Sequence, residues 1–361
     1  MRLFYAGYLS ADRQEACGYH FVLCNIIMEK KKLKTTFQNI SLLLVSIILI
    51  LLLAEIFIRA AGYKKKYQLD EKKQLTWQYE TKKTHNSMGY RDYEYQVEKL
   101  KGVFRIYVLG DSFTYGQGIK MAETYPKVLE RILKDKYPNR YFEVINASFL
   151  GLDTERELGR LKKEGLRLSP DMVILGFYLN DPSHDSGVTQ WKEEDKKEKI
   201  KILFNNKTLL KISHLYWFLK IRADWVFNKR VYVRTFLKLY EKDSKTWKDF
   251  ESSFSGISEL TRERNIPLLV VIFPSLYQLN DNYPFFKAHS MVKKLSEEKG
   301  VEALDLFNCY KGISDKSLWV KTSMPANTHP NAKAHQMAAI EIFRKIEKDP
   351  YFRITSYLNS N

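Results

Sequence analysis

Three regimes of hydrophobic patterning succeed one another along the chain. From Ile40 to Ala54 the residues are almost all apolar (ISLLLVSIILILLLA), and Glu55-Ile56-Phe57-Ile58 extends the run. That approaches the roughly 20 apolar residues needed to cross a bilayer, so a transmembrane helix is predicted over 38–60. Residues 61–100 are polar and aromatic without a clear period, and read as a stalk that packs onto the main domain. From Val103 onward, apolar runs alternate with stretches of helical spacing. Strands are expected over 103–109, 142–146, 171–178, 267–273 and 301–306, and helices over 123–136, 154–165, 247–264, 286–299 and 332–348. The run at 171–178 (DMVILGFY) is nearly continuous, as in a strand buried on both faces. Strands separated by helices imply right-handed crossovers. The fold class is therefore α/β, a three-layer αβα arrangement around a parallel, doubly wound sheet. In such sheets the site lies beyond the carboxyl ends of the strands.

Residues 185–241 interrupt the alternation with lysines and aromatics, among them Leu215-Tyr216-Trp217-Phe218-Leu219 and Trp225-Val226-Phe227. They read as a mostly helical insertion. It leaves the sheet just after Asn180-Asp181-Pro182, where a lid over the site would begin. The plainer reading is that its aromatics pack it onto the domain. The expected organisation is an N-terminal segment 1–37, an anchor 38–60, a lead-in 61–100, a main domain 101–349 carrying the insertion, and a tail 350–361.

Charge orients the anchor. Lys30-Lys31-Lys32-Leu33-Lys34 precedes the apolar run, so the N-terminus is expected to stay cytoplasmic and everything after about residue 60 to be exported, giving a single-pass protein of the cell membrane. A cleaved signal peptide is the rival reading, with Ala60-Ala61-Gly62 as its site. Glu55 and Arg59 fall where such a region is small and uncharged, which favours the uncleaved anchor. Met28-Glu29-Lys30-Lys31-Lys32 would itself be a normal beginning for an anchor, so residues 1–27 are read as a start-site extension. Lys and Arg number 59 against 42 Asp and Glu, a formal net charge of +17. That suits an anionic membrane face, an acidic polymer or nucleic acid. No zinc-finger spacing, RRM signature or basic heptad region is present, so a nucleic-acid partner is not expected. Three cysteines, Cys17, Cys24 and Cys309, give neither a disulfide framework nor a metal cluster, and Cys309 reads as packing.

The candidate chemistry sits at predicted strand ends. The first strand runs into Gly110-Asp111-Ser112, and a helical pattern comes next. A serine at that turn is exposed on the sheet rim beside the N–H groups of a helix N-terminus, as acyl transfer requires. Taken alone, Ser112 is equally a good N-cap. After the second strand comes Asn146-Ala147-Ser148-Phe149-Leu150-Gly151, where a glycine lets backbone approach a ligand. After the third comes Asn180-Asp181, whose amide can donate to an oxyanion. Before the last helix comes Thr328-His329-Pro330-Asn331. Proline there fits a helix start and leaves His329 on a loop, able to take the Ser112 proton and return it. Each residue has an ordinary turn or cap explanation. Their occurrence in order at successive strand ends is much harder to explain that way.

These four blocks resemble the SGNH (GDSL-type) hydrolase superfamily over about residues 83–345, and Asn86-Ser87-Met88-Gly89-Tyr90-Arg91-Asp92 resembles the lead-in of its membrane-anchored bacterial members. The resemblance implies an SGNH, flavodoxin-like αβα fold, Ser112 as nucleophile and His329 as base. It implies an oxyanion hole of the Ser112 and Gly151 N–H groups with the Asn180 side chain, Asp111 and Asp181 in support, and an acyl-ester substrate on carbohydrate or lipid, with no cofactor or metal. No Gly-x-Ser-x-Gly elbow is present, which sets the chain apart from the usual α/β-hydrolases. The superfamily usually places an Asp two or three residues before the histidine, and here those positions hold Ala326 and Asn327. Asn327 can accept a hydrogen bond from the ring but cannot stabilise an imidazolium as a carboxylate does. Asp305 and Asp181 are the other carboxylates that could take that part. A non-catalytic binding or assembly factor on the same fold is the alternative. A nucleotide-binding domain is excluded by the lack of a Gly-x-Gly-x-x-Gly or Walker-type loop.

Overall fold

Five apolar runs form the sheet that their patterning predicts. In the computed structural model, which describes residues 5–83, 85–185, 206–320 and 328–359, the strands are β1 (Val103–Gly110), β2 (Tyr141–Asn146), β3 (Met172–Phe177), β4 (Leu268–Ile272) and β5 (Glu302–Asp305). They are all parallel, in the order β2-β1-β3-β4-β5. This is the doubly wound order whose direction reverses between β1 and β3, leaving a crevice at their carboxyl ends. Every residue of β3 and β4 is buried, which explains their near-continuous apolar character.

The helices are α1 (Tyr5–Ala60), α2 (Tyr63–Lys82), α3 (Ser112–Tyr115), α4 (Tyr125–Lys136), α5 (Thr154–Lys163), α6 (Lys207–Ile212), α7 (His214–Leu239), α8 (Lys245–Glu263), α9 (Phe286–Glu298), α10 (Phe307–Tyr310), α11 (Asp315–Leu318), α12 (Ala332–Lys348) and α13 (Ile354–Asn359). Helices α4 and α12 pack together, as do α5 and α8, which gives the three layers. Apolar stripes bury α4 through Val128, Leu129 and Leu133 and α12 through Ala338, Ala339, Ile342 and Ile346.

The chain divides into two units, one of Met1–Lys64 with Asn206–Phe218, the other of Lys65–Asn205 with Leu219–Asn361. In the first, α1 carries a stretch, Ile26–Ala60, whose most apolar 18 residues have a mean hydropathy of 2.9, long and apolar enough to cross a membrane. In the second, residues 350–359 fold back on the sheet. Phe352 and Ile354 are buried. The Tyr357 hydroxyl donates to Gly102 O (2.9 Å) and Tyr141 O (3.0 Å) and accepts from Tyr141 N (3.1 Å), beside the outer strand β2.

The lead-in departs from its irregular reading, because Tyr63–Lys82 is helical. Its Lys, Gln, Leu and Glu residues favour a helix without an apolar stripe, so periodicity alone does not find it. In the part of the insertion within the second unit, Leu219 and Val226 of the aromatic runs are exposed, and it is later residues that are buried. Val231, Phe236 and Tyr240 are buried, and Tyr240 donates to Leu179 O (3.0 Å).

Candidate active site

Ser112 opens α3 at the carboxyl end of β1. Asp111 caps that helix, its Oδ1 accepting from Phe113 N at 2.8 Å. Two glycines let so short a helix sit on the sheet. Gly110 and Gly176 face each other across β1 and β3, and a Cβ on them would fall 2.1 and 2.3 Å from Thr114 Oγ1. Phe113 stacks on Tyr178 at 3.7 Å, which fixes the other face of the turn.

His329 arrives from the opposite direction. Its flanks are clamped by the Trp319–Pro330 bridge, by Val320 N to His329 O (2.9 Å) and by Asn331 N to Leu318 O (2.8 Å). Asn331 then caps α12, accepting from Ala334 N at 3.1 Å. The result is His329 Nε2 at 2.9 Å from Ser112 Oγ. Burial lowers the imidazole pKa to about 4, so near neutral pH the ring is uncharged, the form that is able to accept a proton.

The other two blocks converge on the same crevice. Phe149 N donates to Gly110 O at 3.1 Å, seating the second loop against the nucleophile turn. Gly151 adopts φ 69°, a left-handed turn that suits glycine, and Arg156 holds its carbonyl. Asn180 is buried at the end of the third strand segment. Its amide bears on the Asp111 carboxylate and offsets part of the rise that burial imposes on that group's pKa. An amide carries two N–H donors, so one remains for an oxyanion.

Beneath the crevice lie three buried carboxyls, Asp111, Glu157 and Asp181. Burial pushes Asp111 up to about 6. Burial, reinforced by the charges of the others, raises Glu157 and Asp181 well above the ordinary range. Both Glu157 oxygens and Asp181 Oδ1 lack hydrogen-bond partners, as protonated acids tolerate better than carboxylates.

Two sequence candidates for orienting His329 are engaged elsewhere. Asp305 receives His289 Nδ1 at 3.0 Å on both oxygens and Phe307 N at 2.9 Å, and Asp181 Oδ2 accepts from Tyr178 N at 3.2 Å. Ala326 and Asn327 lie outside the described residues. Among the described residues no group of three or more His, Cys, Asp or Glu could hold a metal ion.

Sequence reasoning missed the residues that hold these loops together. Arg91 is buried, and its guanidinium donates to the carbonyls of Tyr115 (2.8 Å), Gly116 (2.9 Å) and Ile119 (2.5 Å), just past the nucleophile helix. Neighbouring Asp92 accepts from Asn146 N (2.6 Å) and Lys127 Nζ (2.8 Å). Asn146 Nδ2 in turn donates to Thr114 O at 3.3 Å. The only signal was the resemblance of 86–92 to a lead-in, which carried no role.

A serine–imidazole pair at the switch point of a doubly wound sheet, without the α/β-hydrolase elbow, defines the GDSL class of ester hydrolase. Residues 108–337 match the GDSL-like lipase/acylhydrolase family. That is well over half of the chain, and the protein belongs to this family. Solved structures that match the chain include a two-domain esterase (CEX) active on acetylated mannans (16% identity, 68% of this chain and 49% of that one, TM-score 0.42). Others are a catalytic mutant of Axe2, an acetylxylan esterase from Geobacillus stearothermophilus (14%, 68% and 95%, TM-score 0.44), and the psychrotrophic esterase EstA from Pseudoalteromonas (15%, 68% and 97%, TM-score 0.40). The chain spans about half the length of the mannan esterase. Among curated proteins none matches it.

Proposed function

We propose that this protein is a membrane-anchored serine esterase or O-acyltransferase whose domain lies outside the cytoplasm. It would act through an acyl-Ser112 intermediate on an ester of an envelope or secreted glycan or lipid. The observation that carries this reading is the 2.9 Å contact between Ser112 Oγ and His329 Nε2. Ser112 Oγ attacks the ester carbonyl carbon while its proton passes to His329 Nε2. The oxyanion accepts from the Ser112 and Gly151 N–H groups and the Asn180 amide. As the intermediate collapses, His329 returns the proton to the departing alcohol. Water or a sugar hydroxyl then gives its proton to His329 and attacks the acyl carbon, and as the Ser112 Oγ–acyl bond breaks His329 returns that proton to Ser112 Oγ. The choice of acceptor separates esterase from acyltransferase. Anchoring through 38–60, with a cytoplasmic N-terminus, rests on the apolar helix and on the lysines before it.

The absence of Asp at 326 and 327 favours one second reading, a binding or assembly factor that keeps the fold. Fluorophosphonate labelling separates the two. The full chain should take one adduct at Ser112, and Ser112→Ala should lose both the label and about 10⁴-fold or more of the turnover of p-nitrophenyl acetate while folding normally. A folded wild-type protein that stays unlabelled would support the binding role.

A further inference from the structure

The first unit holds a second constructed feature, at the end of the anchor. Glu55 is a carboxylate within an apolar helix, and its oxygens accept from Ser213 Oγ (2.8 Å), His214 N (2.9 Å) and Leu215 N (2.8 Å). It thereby caps the N-terminus of α7, where a negative charge is favoured. One turn on, Arg59 donates to Ile212 O (2.5 Å), and Lys64 Nζ donates to Leu210 O (2.8 Å) and Lys211 O (3.1 Å). These are the terminal carbonyls of α6. The acid of the anchor thus meets a helix start and its bases meet a helix end, so the α6–α7 junction is fixed to residues 55–64.

The face that this clamp leaves outward is amphipathic. Leu209 and Ile212, three residues apart on α6, are 38% and 59% exposed. Lys207 and Lys211 are also exposed. The rings of Tyr63 and Phe218 meet at a tilt, centroids 5.4 Å apart, with Tyr216 and Trp217 alongside in sequence. Residues 59–66 and 206–218 contain no carboxylate. Aromatic rings, basic side chains and a short apolar face are what the headgroup level of a bilayer accommodates.

We propose that α6 and the first turn of α7 lie in the outer membrane interface, with Leu209 and Ile212 at the acyl boundary and the lysines among lipid phosphates. The proposal rests on α1 spanning the membrane over 38–60. If it does, residues 55–64 emerge at that depth and α6 shares it. The partner is an anionic phospholipid surface, and the insertion is a second, shallow attachment beside the anchor.

The test uses the full chain with its native cysteines replaced by alanine, in vesicles of phosphatidylglycerol and phosphatidylcholine. An NBD label is placed on Leu49→Cys or on Ile212→Cys, both exposed positions. Deep nitroxide lipids should quench the Leu49 label, and shallow ones should quench the Ile212 label about twofold or more, with a blue shift. If Leu49 is in lipid while Ile212 stays open to aqueous iodide, this proposal fails and the anchor stands. An Ile212 label shielded from iodide yet beyond reach of nitroxide lipid means a protein occupies the face, which also overturns it. A Leu49 label in water removes the anchor, and this proposal with it.

Discussion

At the residue scale the site depends on an uncharged imidazole. The pKa of His329 lies below the usual histidine value because of burial, and only its neutral form can take the Ser112 proton. The acid limb of kcat/KM should therefore fall near pH 4 rather than near 6.5, leaving activity almost flat from pH 8 to 5. A stopped assay with a non-ionising ester across that range checks this, and an inflection near the ordinary histidine value would contradict it. The places of Ser112, Gly151, Asn180 and His329 in the fold were legible in the sequence, because each follows a recognisable strand or precedes a recognisable helix. The engagement of Asp305 with His289 was not, since it joins a strand end to a helix interior and neither position carries a local signal.

At the element scale the nucleophile helix is held from both ends. Asp111 caps its start, and Arg91 binds the carbonyls at and beyond its finish. Arg91 is a positioning residue that acts on main chain, so spacing and charge patterning could not reveal it. Its acceptors are backbone groups 24 to 28 residues downstream. Arg91→Lys keeps a cation but cannot fork across three carbonyls. The expected result is a fall in kcat of about 10²-fold with KM nearly unchanged, since a small displacement of a reacting atom is enough for that. Steady-state kinetics with a melting curve would check it. Full activity in a variant that melts like wild type would show that the helix is placed by Asp111 and the glycines alone. The five strands and the helices between them were legible because their apolar periods are strong. The helix over 63–82 was hidden because it has propensity without a stripe.

At the scale of the whole molecule, the buried acids couple the site to global stability. Asp111, Glu157 and Asp181 all have folded-state pKa values above those of an unfolded chain. Their contribution is whole below about pH 4 and is lost as pH rises through the folded values. For Asp111 that loss begins near pH 4 and is nearly complete just above pH 6. Glu157→Gln mimics the protonated acid and removes one charge from the group. The variant should lose less stability than wild type as pH rises above about 5 and should melt higher at alkaline pH, by on the order of 2–4 °C per kcal/mol gained. Parallel melting-temperature profiles for the two proteins would contradict the account.

The contact of Tyr357 with the outer strand has a practical meaning. A parallel sheet ends in rows of unpaired amides and carbonyls, which invite another chain to add on. Here a single phenol near the C-terminus occupies Tyr141 N, Tyr141 O and Gly102 O. Proteolytic trimming of the last few residues would free the main chain of Tyr141, the first residue of that outer strand, while leaving Ser112 and His329 untouched, so an affinity tag is better placed elsewhere than on this terminus.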